Sequence, residues 1–103
     1  MNIPQEIQEL IPQVPFVPLV TASQEGNPHL IVVGKVKEVR AEDTLVFGIY
    51  KMENTQKNLQ QTGKMQAVIC SLKGGPKGYR LIGTAAAEGK EVLLKVEEIE
   101  SLL

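Results

Sequence analysis

Residues 65–96 read MQAVICSLKGGPKGYRLIGTAAAEGKEVLLKV, and this stretch decides the fold. The apolar runs at 65–72 and 79–87 have the length and β-branched content of strands. Between them Gly74-Gly75-Pro76-Lys77-Gly78 is a loop, because Gly and Pro punctuate regular structure. Glu88-Gly89-Lys90 is a second turn. After it Val92, Leu94 and Val96 alternate with Leu93, Lys95 and Glu97, the period-two pattern of a half-buried strand. Short turns between consecutive strands force antiparallel pairing.

Working outward, 54–62 reads as the one internal helix, stopped by Gly63. Residues 44–50 form a third strand containing Gly48, after a turn at Glu42-Asp43. A long apolar run at 29–40 reads as a second strand. Val36 and Val39 differ in parity there, so a bulge is expected near Lys37-Glu38. Residues 16–22 make the first strand, and Pro18 favours an edge position or a bulge. The turn Gln24-Glu25-Gly26-Asn27 follows it. Pro4 opens a short helix over 5–11 with Ile7, Leu10 and Ile11 on one face, and Pro12 and Pro15 stop it. The expected fold is mainly β: a single domain over 1–103, a six-stranded antiparallel barrel with one internal helix and a short N-terminal helix. Gly34, Gly48 and Gly83 inside strands fit either the tight bends of a barrel or the close approach of a flat ligand, and the bends are favoured.

The composition restricts the chemistry. No apolar run approaches the ~20 residues of a membrane-spanning helix. Residues 1–10 contain Glu6 and Glu9 and do not read as a secretory signal. A single cysteine, Cys70, allows no intrachain disulfide, which fits a reducing, cytoplasmic setting. In its strand Cys70 is expected to be a buried small hydrophobe. One histidine and one cysteine are too few for a Cys/His zinc site, and a catalytic triad could form only around His29. After Pro28 at a strand start, His29 is expected on a turn or at the surface. Any redox or group chemistry would come from a borrowed cofactor.

The net charge of -1 conceals an asymmetry. Residues 51–80 hold Lys51, Lys57, Lys64, Lys73, Lys77 and Arg80 against Glu53 alone. That third either faces an anion or carries its lysines on solvated turns. An acidic pI near 5.8 and four scattered aromatics, Phe16, Phe47, Tyr50 and Tyr79, argue against an oligonucleotide-binding barrel. A small phosphate ligand demands less. With Asn54 as N-cap, Thr55, Gln56 and Lys57 fill the first turn of the helix, and Lys51 lies just upstream. A lysine in that electropositive turn costs ~0.3–1 kcal/mol. An anion held there would remove the conflict, and so would neutralisation of Lys57 by Glu53.

The order and spacing of four segments resemble the FMN-binding split barrel of the pyridoxamine 5'-phosphate oxidase-like superfamily. They are Pro28-His29-Leu30, Phe47-Gly48-Ile49-Tyr50, Asn54-Thr55-Gln56-Lys57-Asn58-Leu59 and Leu81-Ile82-Gly83-Thr84-Ala85. The resemblance runs from about Phe16 to Ile99. It implies that Thr55 and Lys57, with Asn54 and Lys51, hold the FMN phosphate. The isoalloxazine ring would then lie along Val32, Val33 and Gly34, with Phe47, Gly48, Ile49 and Tyr50 alongside. It further implies a homodimer with FMN at the subunit interface, and a small redox protein of the flavin reductase or electron-carrier kind. Its partner would be a small molecule or a redox protein, with no nucleic acid or membrane. A non-enzymatic module for FMN or another phosphorylated ligand is the alternative. Many relatives carry a basic residue where Thr55 stands. No arginine follows Arg80, whereas authentic pyridoxamine phosphate oxidases hold their substrate with C-terminal Arg and His residues, which argues against that reaction here.

Overall fold

The computed structural model describes residues 3–103. Helix α1 (Gln5–Leu10) continues into a 3-10 turn, Ile11–Gln13. Strands β1 (Val17–Ala22), β2 (Pro28–Val33), β3 (Glu38–Arg40) and β4 (Thr44–Gly48) precede helix α2 (Glu53–Thr62). Strands β5 (Lys64–Ser71), β6 (Lys77–Glu88) and β7 (Glu91–Ser101) complete the chain. One antiparallel sheet runs in the order β2-β1-β5-β6-β7-β4-β3. The core sits on its inner face, where Val17, Leu19, Ala67, Ile69, Leu81, Leu45, Phe47, Val92 and Leu94 alternate with residues of the other face, of which Val46 on β4 is buried as well. Ile3, Ile7, Leu10, Ile11 and Val14 plug one end of this core. Tyr79 Oη donates to Glu6 Oε1 at 2.8 Å, fastening α1 to the sheet. That bond to a carboxylate raises the phenol pKa above its ordinary value.

Seven strands stand where six are expected. The run at 29–40 does not stay one strand with a bulge at Lys37-Glu38: it breaks at residues 34–37, and β2 and β3 end up on opposite edges of the sheet. The break follows from geometry. Five peptide steps from Val33 to Glu38 span at most about 18 Å, so the two edges are held near one another without pairing. Gly34 therefore lies in this connection and not inside a strand. The bulge falls elsewhere: Ile82 faces Glu98 and Gly83 faces Val96, leaving Glu97 unopposed on β7. Pro18 is one strand in from the edge, where the β1–β5 ladder, limited to Leu19↔Ala67 and Val20↔Gln66, has already stopped. Cys70 is exposed, because in β5 the buried positions are Met65, Ala67 and Ile69.

An ion cluster closes the β3–β4–β7 end. Lys37 Nζ lies 2.7 Å from Glu91 Oε2, and Arg40 bridges Glu91 and Glu38. The Lys37 bond, helped by Arg40, holds the Glu91 carboxyl below its ordinary value of 4.5. A carboxyl lowered by folding adds stability that is complete above pH 4.5 and disappears as pH falls through the folded value. Glu91→Gln should therefore melt below wild type at neutral pH, with the two melting curves converging in acid. A gap that persists unchanged into acid would contradict this origin.

Candidate cofactor site

The N-cap of α2 lies two residues earlier than the Asn54 that the sequence suggests. Met52 is the N-cap, Glu53 occupies the first turn and Gly63 closes the helix in the left-handed region at φ 69°. Lys57 is consequently a full turn inside the helix, and the expected clash between its charge and the helix end does not arise. Glu53 supplies the carboxylate that a helix start favours, so the helix mouth is not the electropositive point expected of it.

The buried side of α2 presents Thr55, Asn58 and Leu59. Thr55 is 1% exposed and its hydroxyl has no hydrogen-bond partner among the described residues. Asn54 and Lys57, by contrast, share the wall of a polar groove of about 330 Å³, with Asn58 and Gln61 at the next helical positions on that flank. The opposite wall is the β1–β2 turn, contributing Ser23, Glu25, Asn27 and His29. His29 pairs with Thr21 across β1 and β2, and Thr21 accepts a 3.0 Å bond from Asn58 Nδ2, which sets α2 against this hairpin. Among the groove-lining residues Lys57 is the one lysine or arginine and Glu25 the one carboxylate.

The remaining expected residues are placed apart. Lys51, in the left-handed region at φ 51°, sets its ammonium 5.6 Å from the Tyr50 ring centroid, a cation–π contact outside the groove. Tyr50 is 77% exposed, whereas Phe47 is 1% exposed and belongs to the core. Val32 and Gly34 are exposed, Gly48 is exposed opposite Glu91, and Val33 and Ile49 press on the core from β2 and from just past β4. The cations of 51–80 do not converge: Arg80 pairs with Glu100, and Lys73 reaches Gln13. Gly83 is explained by neither a ligand nor a bend alone, since the backbone of β7 at Lys95 passes directly over it. Sequence reasoning placed His29 on a turn or the surface and so missed its place in the groove. The signal was the turn at 24–27, which returns β2 along β1 and brings position 29 beside the helix that packs on Thr21.

On the outer face of the β2–β1 hairpin, Leu30 and Val32 are 63% and 61% exposed, beside an exposed Phe16. No helix among the described residues is long and apolar enough to cross a membrane.

The family model described as pyridoxamine 5'-phosphate oxidase matches residues 3–98. Among solved structures, HupZ from Group A Streptococcus is similar at TM-score 0.79 and 21% identity, over 98% of this chain and 94% of that one. An FMN-binding protein from Syntrophomonas wolfei superposes at 0.73 and 18% identity, covering 96% of this chain and 88% of its own. HutZ, the heme storage protein of Vibrio cholerae, does so at 0.67 and 12%, covering 98% and 95%. No curated protein sequence matches the chain.

Proposed function

The chain belongs to the pyridoxamine 5'-phosphate oxidase family, and from that premise we propose that it is an FMN-binding protein whose phosphate sits on the flank of α2. The observation that carries this reading is the groove that brings Lys57 and Asn54 together against the β1–β2 turn. An ammonium and carboxamide N–H donors suit a phosphate monoester. Thr55, buried behind them, shapes the helix and makes no contact with the ligand. FMN, when bound, supplies hydride or electron chemistry, which needs no acid/base constellation from the protein. The residues of this chain would bind the tail and hold the ring near Val32, Val33 and Gly34 and the Phe47–Tyr50 backbone.

The apolar outer face of the β2–β1 hairpin supports the second part of the proposal, a homodimer with the ring near the interface. Contiguous exposed apolar surface on a small domain marks a contact site, and a core this small gains from a partner.

Titration of the purified protein with FMN should develop a perturbed flavin absorption band, and sedimentation of that sample should give twice the 11.3 kDa chain mass. Lys57→Ala should weaken FMN by about tenfold, the size of one lost charge-assisted bond, and leave riboflavin unchanged. No FMN binding at high micromolar concentration would sink the proposal. Hemin titrated in parallel tests the cofactor named for the similar heme storage protein HutZ. Turnover of NADH or NADPH with an artificial acceptor separates a reductase from a binding module.

A further inference from the structure

Three features of the segment 51–55 pull against the helix start found there. Lys51 sits in the left-handed region at φ 51°, which glycine adopts freely and a residue with a Cβ does not. Met52, the N-cap at φ -112° and ψ 33°, makes no side-chain capping bond. Asn54, two residues on, is of the type that caps best, and that capacity goes unused. Thr55 is buried, and its hydroxyl has no partner among the described residues. A threonine deeper in a helix bonds the carbonyl four residues back. For Thr55 that residue is Lys51, which has already turned out of the helix. An orphaned hydroxyl, a left-handed lysine and an idle cap within five residues are local conflicts of the kind that collect at switch segments.

We propose that the first turn of α2 is a two-state element, whose start moves from Met52 to Asn54 when an anion occupies the Lys57 groove. The inference rests on the flavin reading for the identity of that anion, and adds to it how the site is regulated. The movement is small. Met52 already lies outside helical geometry and keeps its side chain in the core, so only Glu53 has to leave the helix. The 2.8 Å bond from the Gln56 N–H to the Met52 carbonyl is lost with the next rung, and the Asn54 side chain takes up one of the freed N–H groups. A helical side chain leans over the turn N-terminal to its own Cα, so unwinding that turn gives the Thr55 hydroxyl access to water.

The ligand distinguishes the two states electrostatically. With the start at Met52, Glu53 places a carboxylate in the first turn and Lys57 is a turn inside. With the start at Asn54, Glu53 lies outside the helix and Lys57 enters the first turn. The positive helix end then falls at Asn54, on the groove wall itself. An anion binds this second state better, and that difference in affinity is what shifts the population.

Carbon chemical shifts of the full chain follow the switch, because Cα shifts separate helical from extended residues. Saturation with FMN should move Glu53 from helical to extended values and Asn54 to those of an N-cap, while residues 58–62 stay helical. Lys51→Gly relieves the left-handed position and so favours the Met52 start. It should bind FMN about threefold to fivefold more weakly than Lys51→Ala, which loses the same charge and keeps the conflict. Thr55→Val removes the orphaned hydroxyl at nearly constant shape. It should raise the melting temperature and weaken FMN by a similar factor, although Thr55 touches no ligand. Helical Glu53 shifts that survive FMN saturation, equal FMN affinities for the two Lys51 variants, or a lower melting temperature for Thr55→Val would overturn the inference and leave the flavin reading standing. If FMN does not bind, the flavin reading falls and inorganic phosphate takes its place as the probe: the same Glu53 shift upholds the switch, and its absence overturns it.

Discussion

Gly83→Ala is expected to destabilise the protein by ~3–5 kcal/mol, the upper range for a single substitution. A Cβ at Gly83 would stand 1.8 Å from the Lys95 carbonyl oxygen and 2.8 Å from the carbonyl carbon. Both are backbone atoms of β7, so no side chain can swing aside. Relief would require β7 to lift away where Val96 and Glu97 already form a bulge, sacrificing ladder bonds on the longest strand pair of the sheet. For a domain of this size the loss corresponds to a fall in melting temperature of roughly 15–30 °C. Gly48→Ala is the control, because a Cβ there meets nothing within 4 Å. Thermal or urea unfolding that places Gly83→Ala within about 1 kcal/mol of Gly48→Ala would show that β7 accommodates the methyl group.

Phe47→Ala should cost ~3–5 kcal/mol, the usual range for deleting a buried aromatic ring. Phe47 is 1% exposed on β4, opposite Val92, and is among the largest fully buried side chains. The same placement separates its two roles. If its ring works only in the core, Phe47→Leu should lose ~1–1.5 kcal/mol of stability yet keep FMN affinity within twofold of wild type. A large drop in FMN affinity with stability intact would instead put the ring against the flavin. Chemical denaturation together with an FMN titration of the two variants decides the matter.

These two residues show what kind of information the sequence carries. Gly83 stands out in a run of strand formers, but a glycine in a strand signals a bend, a bulge or a close approach with equal force. The choice belongs to β7, whose register places Lys95 over it. Phe47 was legible as a strand residue, while its direction depended on the parity of β4 within a closed core. Likewise, Cys70 has the neighbours of a buried residue, yet the alternation that buries Met65, Ala67 and Ile69 on β5 turns it outward.

The site was partly readable. Lys57 and Asn54 could be found from the charge excess and from the helix that carries them. Their meeting point differs from the expectation because a two-residue change in the N-cap, from Asn54 to Met52, moves Lys57 from the helix end to its flank. Thr55, one side chain of the same helix, rotates with it into the interior.

By itself the sequence determined the strands at 65–72 and 79–87, the helix closed by Gly63, the antiparallel turns and the absence of a long apolar helix, because each follows from local periodicity and turn chemistry. Tertiary structure alone decided that the run at 29–40 divides between two sheet edges, that β7 crowds Gly83, and that His29 faces Lys57 across a groove. Those outcomes depend on contacts between residues far apart in the chain, and no local pattern encodes the energy of a contact before both partners are in place.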